Sequence, residues 1–122
     1  MLLEFMLATA LVTVTDGDTI RANGEPYRLV GFNTPELSTG KCEAERKLAT
    51  QARVRLQQLV REPTARLQEV LCHGSNFGRK CAVVYVGGRN IASLMVRERL
   101  AEDYWCSSSG CPRRKNWCVQ DR

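Results

Sequence analysis

Histidine is almost absent from this 122-residue chain, with His73 its single example. No two cysteines stand at C-x-x-C spacing, so the ligand patterns of zinc ribbons and fingers are missing. No stretch approaches the ~20 apolar residues that a bilayer-crossing helix needs. Internal repeats and low-complexity segments are lacking as well. These gaps exclude a histidine-based zinc site, a membrane-spanning helix and a repeat array, and His73 reads as a loop residue without a role. The length, with 43% hydrophobic and 25% charged residues, suits one domain over 1–122 and is too short for two.

What the chain does have is positive charge and cysteine. A net charge of +5 suggests polyanionic partners, although a solvated basic surface would carry the same charge. Six cysteines in a small chain favour disulfides, and hence a periplasmic or secreted protein, over reduced thiols in a cytosolic one. Cys42 with Cys118 and Cys72 with Cys81 are the expected pairs, leaving Cys106 and Cys111 to close a small loop. Six cysteines permit about fifteen pairings, and sequence does not choose among them. The polar tail 105–122 has little apolar surface, so a staple would hold it to the domain. Residues 1–10 are apolar apart from Glu4 and contain Ala8-Thr9-Ala10, but lack a basic start. They are either a signal-peptide remnant or a lead-in strand.

Leu11–Thr15 alternates β-branched residues, Asp16-Gly17 signals a hairpin turn, and Thr19–Arg21 is a short second strand. Asn23-Gly24 turns the chain into a third strand, Pro26–Phe32. From Lys41 to Val60 the period changes: Ala44, Leu48, Ala52, Leu56 and Leu59 recur at helical spacing, and Pro63 ends the run. Arg66–Leu71 and Cys81–Val86 are two more strands, Gly87-Gly88 a turn, and Ile91–Leu100 a second helix. Five strands with a helix inserted after the third is the order of an OB-fold barrel, a mainly β fold with two to three helices (α+β). Periodicity alone leaves a generic α+β sandwich open.

Chemistry concentrates in one constellation. Arg28 and Arg79 could clamp a phosphate, because a guanidinium fork binds two oxygens at once and stays charged. Glu36, displayed at a corner fixed by Pro35, could take a proton from water. Asp18 and Asn33 offer hard oxygen donors that suit Ca²⁺. Each has a plain alternative: a turn for Asp16 and Asp18, an ion pair for Arg28, solvation for Arg79, and a solvated face for the helix residues Arg46, Arg53 and Arg55. A two-residue Asn23-Gly24 loop sets Thr19 opposite Arg28. Asp18 then falls on the other face, unless twist or fraying brings it round.

The segments Asp16-Gly-Asp-Thr-Ile, Arg28-Leu-Val-Gly-Phe-Asn-Thr-Pro-Glu36 and Phe77-Gly-Arg79 together resemble the staphylococcal nuclease (thermonuclease) family. Val84-Tyr-Val-Gly-Gly88 and Leu94–Tyr104 are similar to its last strand and helix, so the resemblance spans roughly residues 11–104. It implies an OB-fold barrel that hydrolyses DNA and RNA phosphodiesters with Ca²⁺, acting as a monomer on single-stranded nucleic acid. Asp18 and Asn33, with the Thr34 carbonyl, would then hold the metal. Arg28 and Arg79 would bind the phosphate, Glu36 would activate water, and Phe77 and Lys80 would contact the nucleotide. Asn33 stands where the family usually has a second calcium aspartate, so the site loses one negative charge. That loss keeps a second reading in view: a weak or inactive module of the same fold that binds single strands or another acidic polymer.

Overall fold

Alternation, tight turns and one amphipathic run build a curled mixed sheet carrying two helices. The computed structural model describes residues 2–73 and 79–119. Strand β1 (Glu4–Met6) and a short 3-10 turn (Leu7–Thr9) lead into β2 (Val12–Asp16), β3 (Thr19–Ala22), β4 (Glu25–Leu29) and β5 (Gly31–Asn33). Helix α1 (Glu43–Val60) follows, then β6 (Arg66–Val70), β7 (Lys80–Val86), β8 (Arg89–Asn90), α2 (Ile91–Arg97) and β9 (Glu102–Tyr104). Within the main sheet the order is β1-β6-β7-β4-β3-β2, with β8 added to β7, and β5 pairs with β9 apart from it. The β4–β7 pair is parallel and its neighbours are antiparallel. This is the mainly β fold with helices expected from the strand–helix order.

The expected strands are all present, but two details differ. The third strand breaks at Val30 into β4 and β5. Gly31 there has φ +98°, a conformation in which a side chain is strained, and a Cβ on it would lie 2.6 Å from the Trp105 ring. The kink sends β5 out of the main sheet to pair with β9, so Glu102–Tyr104, read above as the end of a helical stretch, is a strand. Residues 1–10 contain an edge strand, β1, in line with the lead-in reading; it pairs with β6 and is followed by buried Leu7. The hydrophobic face of α1 is also rotated: Ala44 is exposed and Leu48 half-buried, while Glu45, Ala49, Ala52, Leu56 and Leu59 are buried.

Glu45 explains that rotation. The Cys42 sulfur caps α1 by accepting from the Glu45 N–H. The Glu45 carboxylate in turn accepts from the backbone N–H groups of Lys41 and Glu36, each at 3.0 Å. A buried carboxylate thus ties the helix start to the loop after β5 and positions Glu36. Below it, Ile20, Tyr27, Leu29, Phe32, Leu56, Leu67, Val84, Ile91 and Met95 form the core.

All three expected disulfides are present: Cys42–Cys118, Cys72–Cys81 and Cys106–Cys111. The first fastens the tail to the start of α1, and the second joins the end of β6 to β7. No helix is long and apolar enough to cross a membrane, among the described residues.

Candidate active site

The β2–β3 turn delivers Asp18 to the end of β5. A Cβ on Gly17 would stand 2.8 Å from both Ala52 Cβ and Thr34 Cγ2, so only glycine lets the turn press this close. Thr19 pairs with Arg28 in the ladder, in the register set by Asn23-Gly24. The β2–β3 pairing carries a register shift between Val14 and Asp16, and Asp18 lies in the turn just beyond it. Asp18 Oδ2 accepts from the N–H and hydroxyl of Thr34, each at 3.1 Å, and lies 3.5 Å from the Arg28 guanidinium. Asp18 Oδ1 accepts from Thr19 Oγ1 at 3.1 Å.

Arg28 is nearly buried and donates to the carbonyls of Leu29, Phe32 and Asp18. Burial pulls its pKa below the ordinary value; Asp18 opposes this, and Arg79 and Arg114 add to the depression. Arg79 donates to Thr19 Oγ1 at 3.4 Å. The two arginines are therefore linked through Thr19 and the Asp18 carboxylate, although 51 positions separate them (79 − 28). They line one cavity of about 440 Å³, together with His73, Tyr104, Trp105 and Arg114.

Glu36 borders a second cavity, lined also by Asn33, Thr34 and Lys115. Burial, then Asp18, raises its pKa; Arg114 opposes, while Asp16 and Glu45 add to the rise. Asp16 is raised by burial and then by Asp18. Glu36 Oε1 accepts from Arg114 at 2.9 Å, and Arg114 lines both cavities, so this ion pair is part of the wall between them. The pair is exposed enough, at 58% and 39%, that its worth is ~0.2–1 kcal/mol.

Asn33, almost fully buried, donates its amide to Glu102 Oε2 at 3.0 Å across the β5–β9 pair, leaving the amide oxygen as its acceptor end. Asp18 is thus hydrogen-bonded to Thr34 just beyond the end of β5, and Asn33 is the last residue of that strand. No group of three His, Cys, Asp or Glu side chains has metal-holding geometry among the described residues. One carboxylate, Asp18, beside neutral oxygens is a donor chemistry that suits a hard cation held weakly. Lys80 begins β7 opposite Tyr27 and, among the described residues, is not part of the arginine cavity's lining. Phe77 lies outside the described residues.

Sequence reasoning missed Arg114, Glu102, Tyr104 and Trp105. The basic run Arg113-Arg114-Lys115, enclosed by Cys111 and Cys118, was the available signal for a charged tail folded back on the domain. Residues 26–118 match the family model for staphylococcal nuclease homologues. No curated protein is significantly similar to the chain.

Proposed function

The chain belongs to the staphylococcal nuclease homologue family, and on that premise we propose that it hydrolyses phosphodiester bonds of single-stranded DNA or RNA in a calcium-dependent reaction. The observation that carries this reading is that Arg28, on the Asp18 carboxylate, and Arg79, on the neighbouring Thr19, line one open cavity. Two guanidiniums there would neutralise a phosphate and stabilise the charge that grows on its oxygens during attack. Arg28 is held by backbone carbonyls and acts as the fixed member, whereas half-exposed Arg79 can follow the substrate.

Glu36 would take the proton from the attacking water. Its raised pKa supports this role, because a carboxylate nearer neutrality is a stronger base at working pH. Asp18, Asn33 and the Thr34 carbonyl would hold Ca²⁺, which when bound would add positive charge beside the phosphate. The rings of Tyr104 and Trp105 beside the arginines suit a nucleobase. A protein with three disulfides fits a secreted or periplasmic setting.

The test is cleavage of single-stranded DNA and RNA under a calcium titration at alkaline pH. Arg79→Ala and Glu36→Gln should each lower kcat by about 10²-fold or more while changing substrate affinity far less. Equal losses in the two would refute the roles given. A second reading, binding without hydrolysis, draws on the Arg114–Glu36 pair, since a working base must be released from that partner. Salt-sensitive binding that is indifferent to calcium, with no cleavage, would establish it.

A further inference from the structure

Arg114 comes from the tail, yet it reaches both the general-base candidate and the phosphate cavity. Five contacts bring it there. Cys118 is bonded to Cys42, the N-cap of α1. The Lys115 N–H donates to Glu102 Oε2 at 2.9 Å. The Tyr104 hydroxyl donates to the Pro112 carbonyl at 2.9 Å, and the Arg114 guanidinium lies 6.0 Å from the Tyr104 ring centre. Cys106–Cys111 closes the turn that reverses the chain before Pro112. The backbone on either side of Arg114 is therefore fixed, while its side chain is more than half exposed.

The cavity Arg114 enters already holds Arg28 and Arg79. Three guanidiniums around one open space repel each other, and an anion of the substrate relieves that repulsion. Glu36 gives Arg114 only a partly solvated partner, which a phosphate can replace with a two-point contact.

Resting on the nuclease reading of this site, we propose that Arg114 is a third phosphate-binding arginine. It is held by Glu36 in the free protein and passes to a phosphate when a single-stranded nucleic acid binds. The exchange leaves the Glu36 carboxylate without its arginine at the moment substrate is present. Because Arg28 and Arg79 would occupy the scissile phosphate, Arg114 selects substrates that carry a neighbouring phosphate, and so favours oligonucleotides over isolated diesters.

Binding of a short fluorescent oligothymidylate, measured in EDTA over a range of salt concentrations, tests this without requiring catalysis. Arg114→Gln should weaken binding about ten-fold and reduce the slope of log K against log salt by about 0.7. Arg114→Lys should keep the slope. Arg89→Gln, in the β7–β8 hairpin and outside both cavities, should leave slope and affinity near the wild type. Glu36→Gln should tighten binding more when Arg114 is present than in the Arg114→Gln background. Thermal unfolding of each variant confirms that the tail remains attached. An unchanged slope in Arg114→Gln, or equal gains from Glu36→Gln in both backgrounds, would overturn the exchange. If the wild type cleaves with calcium and the slope is still unchanged, only the role of Arg114 fails. If the wild type shows no salt-dependent binding, the nucleic-acid reading fails with it.

Discussion

The Asn33 amide donates to Glu102 Oε2 at 3.0 Å, joining the residue where the family usually has a metal aspartate to a carboxylate on β9. An aspartate at 33 would bring two carboxylates together at a nearly buried position, and like charges directly opposite in a ladder are destabilising. Asn33 and Glu102 therefore act as a matched pair. Asn33→Asp alone should lose about 1–3 kcal/mol of stability. Asn33→Asp with Glu102→Gln should recover most of that loss and bind calcium more tightly than the wild type. Thermal unfolding and calorimetric calcium titration of both variants check this. A stable single variant that binds calcium tightly would show that Glu102 does not oppose the charge.

Arg28 and Arg79 should separate when each is replaced by alanine. Removing Arg28 leaves the nearly buried Asp18 carboxylate with Thr19 and Thr34 donors but no countercharge, and takes a donor from the carbonyls of Leu29 and Phe32. A loss of about 3–5 kcal/mol is expected. Arg79 is half-exposed and has one hydroxyl contact, so Arg79→Ala should cost no more than about 1 kcal/mol. Urea unfolding distinguishes them, and equal losses would contradict the structural role assigned to Arg28.

The disulfides differ in the loops they close. Cys42 and Cys118 are 76 positions apart, Cys106 and Cys111 only five. Chain entropy sets upper values near ~4.5 and ~2 kcal/mol. Paired serine variants should follow that order in denaturant unfolding. The Cys42→Ser/Cys118→Ser protein should also lose the contribution of Arg114 to the salt slope, because its tail is no longer fastened beside Glu36.

Glu36 and Asp16 both have raised pKa values, with burial the leading cause and Asp18 next. A carboxyl whose folded pKa is raised stabilises the fold while protonated. That contribution is lost as pH climbs from the ordinary carboxylate range through the raised value. Glu36→Gln and Asp16→Asn should therefore raise Tm at pH 8 in EDTA, and the gain should vanish below about pH 4. Melting curves across that range decide it; a Tm that falls at pH 8 in both variants would reverse the sign.

The meander, its register and the helix were legible because they are local. Asn23-Gly24 sets Ala22 opposite Glu25 and Thr19 opposite Arg28, and the ladder keeps that pairing. The break at Val30–Gly31 was not legible, since Gly31 takes positive φ to accommodate Trp105, which is 74 positions later (105 − 31). The first turns of the α1 face were misjudged for a similar reason, whereas Ala52, Leu56 and Leu59 are buried as expected. Helical spacing favoured Ala44 and Leu48, but Glu45 is drawn inward by the backbone N–H groups of Glu36 and Lys41.

By itself the sequence determined the strand–helix order and its tight turns; it nominated Asp18, Arg28, Glu36 and Arg79 as candidates and offered one disulfide pairing among about fifteen. The order follows from residue types at short range: turn residues and hydrophobic periodicity. Only the tertiary structure decided that the tail lies on the site. It also decided that Arg114 faces Glu36 and that Asn33 is matched to Glu102. Those contacts join residues 69 and 78 positions apart, and no periodicity or turn signal encodes such a distance. They arise because a kinked strand opens an edge for β9 and a disulfide anchors the chain beyond it.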